Sequence, residues 1–387
     1  MKIIEIYGKD TLQFSKLCTQ LFHGKREVGF EAELENRDKD KSPDFTRIGA
    51  YDGEQLLGAL EIIPYVMNFD GSDVKMGGIG AVVSAHEARG RGVIKELFTK
   101  SFEIMREKGQ YISHLYPFRG DYYRRYDYEV TCDSVKWNIP GEYLRSCKKG
   151  YIKGFDGSDE MKADIISVYE SFRRGKNFCV KKDWDDFFKS VEPTFTTKYA
   201  YVHYTDGCAD GVLAYTFNRR PDDRPYASVP VFWYSNKDGI EGNLGFLSSL
   251  KDYVDYVTVL CPADLGMFVE FNGGWGKRDT ERNVSFCGST RVIDVRKILE
   301  LASFDGKVAV KVNDSYCPWN NGIFTVENGN VTEGGEPDCE CGIREFSALI
   351  AGRFDKIDFV PGLDIYKNEE NVRKLFRKKE LWLDEHF

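Results

Sequence analysis

Apolar positions along the chain alternate in short runs that end at Asp-Gly or Pro-Gly turns, and between some of these runs they fall at helical spacing. Lys2 to Tyr7 reads as a strand, and Leu12, Phe14, Leu17, Leu21 and Phe22 form one face of a helix. A charged run through Lys41 follows and reads as a solvated loop or helix end. Thr46–Tyr51 and Leu56–Ile63 flank Asp52-Gly53-Glu54 as a hairpin, and a further strand, Tyr65–Phe69, turns at Asp70-Gly71. Ile79, Ala81 and Val83 alternate into another strand, and Ser84–Ala88 make a polar connection. Ile94, Leu97, Phe98 and Ile104 then mark a helix. Tyr111–Leu115 is the next strand, closed by Pro117. A short aromatic and cationic segment, Arg119–Tyr128, leads to strand Val130–Ile139, and Pro140-Gly141 ends the unit.

The order then repeats. Tyr199–Phe217 reproduces the strand, Asp-Gly turn and strand of Thr46–Ile63. Val229–Leu250 reads as strand, glycine-bearing turn and helix, and Asp252–Pro262 mirrors Gln110–Pro117. A third unit begins at Ser289–Leu299, whose helix leads to strand Lys307–Val312, a polar turn over Asp314–Asn321, strand Gly322–Glu327 and helical Ile343–Ile350. Strands crossed by helices over about a hundred residues make a small α+β domain. The basic run Arg373–Lys379 reads as a solvated helix face rather than a membrane anchor.

The turn Arg89-Gly90-Arg91-Gly92-Val93-Ile94 carries the chemistry. A glycine-rich turn between strand and helix leaves the first-turn amides without intrahelical partners, and glycines let an anion approach them. Arg89 and Arg91 add charge on the same side, so the turn reads as a pyrophosphate seat. It is not a P-loop, because no Gly-Lys-Ser/Thr follows, and it lacks the Rossmann glycine spacing. The corresponding turn of the repeat, Asn236–Gly242, has no arginine and carries Asp238 and Glu241. An acidic turn repels pyrophosphate, so the second copy is expected to be structural and one cofactor to bind per chain.

Composition narrows the partners. The chain has 387 residues, a length for two or three domains, and 42% hydrophobic residues with 14% aromatics can fill their cores. A net charge of −8 argues against nucleic acid and suits a cationic small substrate. There is no N-terminal apolar run with a cleavage site and no stretch of about 18 apolar residues, so no membrane partner and a cytoplasmic location are expected. Ten cysteines are irregularly spaced, which favours free thiols over a disulfide framework. Cys339 and Cys341 lack a second ligand pair, and His23, His86, His114, His203 and His386 show no metal spacing, so no metal is expected. The histidines read as surface or capped positions.

Strand, turn, Arg-x-x-Gly and helix resemble the acetyl-CoA site of the GNAT acetyltransferases. With the repeat and the C-terminal unit, which resembles a sterol carrier, the whole chain resembles the enhanced intracellular survival family of aminoglycoside and lysine-type N-acetyltransferases. The resemblance implies an α+β fold of two tandem GNAT units followed by a sterol-carrier-like domain, with boundaries at 1–143, 144–287 and 288–387. It implies that Val82, Val83 and Ser84 pair with the pantetheine arm of acetyl-CoA. Arg89 is the motif arginine, Gly90, Arg91, Gly92, Val93, Ile94 and Lys95 cradle the phosphates, and Phe118 and Arg119 follow at the end of the next strand. The family has Gly or Ala at the position of Ile94. Several members are hexamers, so the resemblance also implies a homo-oligomer.

The family's general acid is a tyrosine in the run Tyr-Gly-Arg-Phe-Gly-Tyr. The matching run here is Tyr123-Arg124-Arg125-Tyr126-Asp127-Tyr128, which gives that role to Tyr123 and replaces both glycines. A phenol with a pKa near ~10 holds its proton at neutral pH and can give it to a departing thiolate. The family's base is the terminal carboxylate, here that of Phe387, and the apolar end Leu381-Trp382-Leu383 suits a docked terminus. Glu31, Glu33, Glu35, Asp384 and Glu385 either favour an aminoglycoside-like or lysine amine or are solvated surface. The family has an acid where this chain has His386. Two rivals stay open: a long-chain acyl-CoA transferase of the N-myristoyltransferase type, which Ile94 would suit, and a lipid or sterol carrier with an inactive GNAT half.

Overall fold

The computed structural model describes residues 1–7, 10–21, 44–144, 150–185, 187–188, 199–221, 223–263, 265, 280–383 and 385, without the side chain of Glu142. Residues 1–131 and 288–379 form one compact unit, and 132–287 with 380–383 form another. The Glu31, Glu33, Glu35, Asp384, His386 and Phe387 positions lie outside the described residues.

The first unit begins with β1 (Lys2–Glu5), α1 (Thr11–Leu21), β2 (Thr46–Asp52), β3 (Gln55–Phe69), β4 (Ser72–Ser84), α2 (Val93–Glu107), β5 (Ile112–Leu115) and the single turn α3 (Gly120–Tyr123). β1 to β4 pair antiparallel in chain order, and β5 then lies parallel to β4. A parallel neighbour needs a crossover, and α2 supplies it. α2 buries Val93, Ile94, Leu97, Phe98, Phe102 and Met105, and α1 buries Phe14, Leu17 and Cys18, all in one core with the sheet. The two strands expected at Leu56–Ile63 and Tyr65–Phe69 are one, running through Pro64. The ladder to β2 ends at Thr46 and Ile62, so Pro64 lies beyond it, where β3 has no β2 partner among the described residues and a missing N–H is tolerated.

In the second unit the pattern recurs. β6 (Glu129–Pro140), β7 (Tyr151–Gly154), α4 (Asp159–Arg174), β8 (Tyr199–Thr205), β9 (Cys208–Arg219), β10 (Pro225–Tyr234), α5 (Lys237–Leu247) and β11 (Tyr256–Pro262) follow in sequence. β7 to β10 are antiparallel neighbours, β11 is parallel to β10, and α5 is the crossover. β6 was expected to close the first unit, yet from Ser134 to Pro140 it pairs antiparallel with β11.

The chain returns to the first unit within β12 (Glu281–Val292), whose Ser289–Val292 pairs antiparallel with β5. These residues were expected to open a third-unit helix; the helix itself is α6 (Val295–Leu301). β13 (Lys307–Asn313), β14 (Gly322–Glu327), β15 (Asn330–Glu333), β16 (Cys339–Gly342), α7 (Ile343–Ala351), β17 (Leu363–Ile365) and α8 (Glu369–Leu375) complete it. Their sheet has the order β15-β14-β13-β16-β17. The basic run divides: Arg373 and Lys374 are partly exposed and ion-paired on α8, whereas the buried ammonium of Lys379 lies 2.8 Å from Asp70 in the β3–β4 turn. No two described cysteines form a disulfide.

Two histidines expected near the surface are core residues. His203 Nδ1 lies 2.6 Å from Asp210 in the second unit. His114, on β5, is fully buried with Nδ1 3.0 Å from Thr290 Oγ1. Burial lowers its pKa from 6.5 to about 3. Below pH ~6.5 the unfolded chain takes up a proton that the folded chain refuses until about pH 3, so His114 makes stability fall as pH drops through that window. The slope is up to ~1.4 kcal/mol per pH unit. Chemical denaturation between about pH 6 and 4.5 should therefore show a steeper loss of stability in the natural chain than in His114→Gln. Parallel slopes would contradict the buried neutral imidazole.

Candidate active site

β4 is irregular where the chemistry is expected. Its register against β3 slips between Ala59–Val83 and Glu61–Gly80, and Ala81 adopts φ +47°. Left-handed backbone costs an L-residue roughly 1–2 kcal/mol. Paired residues on either side hold Ala81 in the bulge, which bends the strand. The parallel ladder to β5 ends at Gly78 and His114. From Ile79 to Ser84, β4 therefore has an edge that faces no β5 partner, and this is the edge on which Val82, Val83 and Ser84 lie.

A short helical turn, His86–Ala88, leads from this edge to Arg89, which is extended at φ −61° and ψ 140°. Gly90 and Gly92 both have φ +79°. A Cβ at either would meet nothing within 4 Å, so the conformation and not space requires glycine there. Gly92 is the N-cap of α2 and offers no capping side chain. The first i→i−4 bond runs from Glu96 N to Gly92 O at 3.1 Å, which leaves the amides of Val93, Ile94 and Lys95 without intrahelical acceptors. Such a helix start carries partial positive charge and is a ready anion seat.

The side chains divide by direction. Val93 and Ile94 turn their side chains into the core. Arg89 is exposed and makes no ion pair among the described residues, whereas Arg91 is 2.9 Å from Asp52 in a surface pair. Lys95 is exposed, with its ammonium 5.9 Å from the Tyr316 ring centroid. Arg119 is exposed and bound to Asp121, while Phe118 is 71% exposed and meets Tyr123 edge-on at 5.6 Å.

Four tyrosines follow, and their hydroxyls differ. Tyr128 donates to Ser113 Oγ at 2.7 Å, and Ser113 donates in turn to Gly77 O. Tyr126 stacks on Phe98 at 4.3 Å and hydrogen-bonds Tyr122. Tyr123 is buried among Phe98, Phe118 and Tyr122, yet its hydroxyl has no hydrogen-bond partner among the described residues. Burial, with a smaller contribution from Tyr122, holds its pKa above the ordinary value of 10, so it keeps its proton at neutral pH. Of the four, only Tyr123 has both a restrained ring and an unengaged O–H.

The two replaced glycines have different consequences. Arg124 is right-handed at φ −58°, where any residue fits, but Asp127 is left-handed at φ +59°. The carboxylate of Asp127 accepts from Ser315 Oγ at 3.1 Å and lies 4.0 Å from Arg291. Arg291 is fully buried, bound to Asp314 at 2.7 Å and to the Tyr126 carbonyl at 3.1 Å. Sequence reasoning passed over Ala81, Arg291 and Asp314. A bulge leaves no compositional trace, and the signal for Arg291 was a charge next to the apolar pair Val292-Ile293.

The equivalent helix start in the second unit is closed. The Asn236 side chain caps α5 by accepting from Gly239 N at 3.0 Å, and a Cβ on Gly239 would lie 1.9 Å from Asp210 O. Lys237 there is 3.4 Å from Glu241. Near the end of the chain, Leu381, Trp382 and Leu383 are buried in the second unit, where Asn177 exchanges backbone hydrogen bonds with Glu380 and Trp382 at 2.8 and 3.0 Å. Among the described residues, no group of three or more His, Cys, Asp or Glu is placed to hold a metal, and no helix is long and apolar enough to cross a membrane.

Residues 2–131 match the family model of the acetyltransferase (GNAT) domain, and residues 295–383 match that of the sterol carrier protein domain. No curated protein sequence matches the chain. A probable N-acyltransferase of unknown function from Enterococcus faecalis V583 is 19% identical with a TM-score of 0.82, over 100% of this chain and 99% of its own. A GCN5-related N-acetyltransferase from Anabaena variabilis ATCC 29413 is 20% identical with a TM-score of 0.82, over 100% of both chains. Eis1 from Mycobacterium abscessus is 15% identical with a TM-score of 0.80, again over 100% of both. The α+β fold is thus that of tandem GNAT units with a sterol-carrier-like domain. The chain carries an acetyltransferase (GNAT) domain in residues 2–131 and a sterol carrier protein domain in residues 295–383, and it has the fold of Eis1 from Mycobacterium abscessus.

Proposed function

We propose that the chain moves the acetyl group of acetyl-CoA onto an amine of a cationic small molecule, aminoglycoside-like, or of a lysine side chain. The observation that carries this reading is the unpaired edge of β4 running into an uncapped helix start. The pantetheine arm adds to the edge at Val82–Ser84 through main-chain hydrogen bonds, as an extended peptide would. The pyrophosphate takes the amides of residues 93–95, with Arg89 as the charge that no carboxylate among the described residues already claims. The second unit, capped by Asn236 and without an arginine in its turn, takes no cofactor.

The reaction we infer uses Tyr123 and, by the resemblance alone, the carboxylate of Phe387, which lies outside the described residues. A neutral amine attacks the thioester carbonyl, an N–C bond forms and the C–S bond breaks. The proton leaving nitrogen passes, directly or through water, to the terminal carboxylate of Phe387. Tyr123 offers its O–H to the sulfur as negative charge develops there, and its raised pKa keeps it protonated until that moment. The net charge of −8 supports a cationic acceptor through long-range attraction.

Calorimetry tests the seat: Arg89→Ala should weaken acetyl-CoA binding about tenfold, the usual scale for one charge-assisted hydrogen bond to phosphate. Unaltered affinity would contradict the seat. Tyr123→Phe should lower kcat about a hundredfold with little change in the KM for acetyl-CoA. A natural rate would remove the acid assignment. Deleting Phe387, or extending the chain beyond it, should abolish turnover while leaving acetyl-CoA binding intact; retained turnover would remove the terminal base.

A further inference from the structure

The segment that carries Tyr123 is too short to hold itself. α3 is a single turn, closed by Arg124 N to Gly120 O, and the 3-10 turn Arg124–Tyr126 is closed by Asp127 N to Arg124 O and followed by Tyr128 N to Tyr123 O; so short a helical piece does not stand without tertiary support. Three consecutive residues of this segment are instead held by groups from the C-terminal part of the same unit. Tyr316 donates its hydroxyl to the Arg125 carbonyl at 2.7 Å, Arg291 Nε donates to the Tyr126 carbonyl at 3.1 Å, and Ser315 Oγ donates to the Asp127 carboxylate at 3.1 Å.

We propose that Arg291 of β12 and Asp314, Ser315 and Tyr316 of the sterol-carrier-like domain form a clamp that positions Tyr123 for catalysis, so that this domain is a working part of the acetyltransferase site. This rests on the reading of Tyr123 as the acid. Asp314 is the anchor: its Oδ1 accepts from Arg291 and from the amides of Tyr316 and Cys317 at 2.9 Å each, and its Oδ2 accepts from Asn320. One carboxylate thereby orients both the guanidinium and the loop that bears Ser315 and Tyr316. The Arg291 guanidinium lies 4.3 Å from the Phe102 ring and the Tyr316 ring meets Phe102 edge-on at 6.0 Å, so the clamp also packs on the helix whose first turn is the anion seat. The left-handed Asp127 is the hinge of the arrangement, a conformation held by Ser315 and the Arg291 charge where the family has glycine.

The test uses Tyr316→Phe and Ser315→Ala in the full chain, which delete single hydroxyls and spare the buried ion pair. Each should lower kcat about fivefold, as loss of one hydrogen bond sets, with the KM for acetyl-CoA unchanged. Amide hydrogen exchange in residues 120–128 should quicken while the melting temperature stays within about a degree of the natural chain. In a Tyr123→Phe background neither substitution should lower kcat further, because the clamp acts through that hydroxyl. Unchanged exchange in residues 120–128 would overturn the clamp whatever the activity does, and so would a full additive loss in the Tyr123→Phe background. A natural rate for Tyr123→Phe alone would overturn the acid assignment, and the catalytic role of the clamp with it, while the exchange result still reports whether the segment is held.

Discussion

A fully buried ion pair between Arg291 and Asp314 is the constraint on which the candidate site depends. Removing two charges from water costs several kcal/mol per ion, and a buried pair persists only when its remaining donors and acceptors are satisfied. Here they are. Arg291 also donates to the carbonyls of Tyr126 and Val292, and Asp314 also accepts from two amides and a carboxamide. Burial alone would raise the Asp314 pKa, but the guanidinium and these donors bring it below the ordinary carboxylate value. The pair thus favours its charged form on both sides. Its cost is offset by geometry: it fixes the backbone of the aromatic segment from one side while Phe98 and Phe102 fix it from another.

The anion seat depends on backbone conformation more than on side chains. Ala81 is held left-handed in a bulge, β4 parts from β5 after Gly78, and two glycines at φ +79° turn the chain into an uncapped helix. The strand edge without a β5 partner and the helix start without a capping side chain are what a pantetheine amide and a phosphate require. The duplicated unit has the same strand order but supplies a capping Asn236 and an ion pair, Lys237–Glu241, at the same place. Two copies of one topology therefore present different helix starts, one without a capping side chain and one capped by Asn236.

Much of this was legible from residue order. The hairpins at Asp52-Gly53 and Asp70-Gly71, the strand-turn-helix around Arg89, the repeat, and the helix at Ile343–Ala351 all carry local signals: turn residues, alternation, or helical spacing. The pairings that were misread are non-local. Nothing in Val130–Ile139 says that it will pair with β11, and nothing in Ser289–Val292 says that it will extend the sheet beside β5, because both choices are made by partners more than a hundred residues away. The buried charges were illegible for the same reason. Arg291 reads as a surface residue until Asp314 and the Tyr126 carbonyl arrive from elsewhere, and Lys379 reads as part of a basic face until Asp70 meets it.

On this reading one nucleotide thioester lies along the edge of β4 that faces no β5 partner and ends at the first turn of α2. Amide hydrogen exchange of the full chain with and without saturating acetyl-CoA measures this directly. The account predicts new protection confined to residues 79–84 and 90–96, with none at the start of α5. Protection at α5, or no change along β4 and α2 despite measured binding, would contradict it.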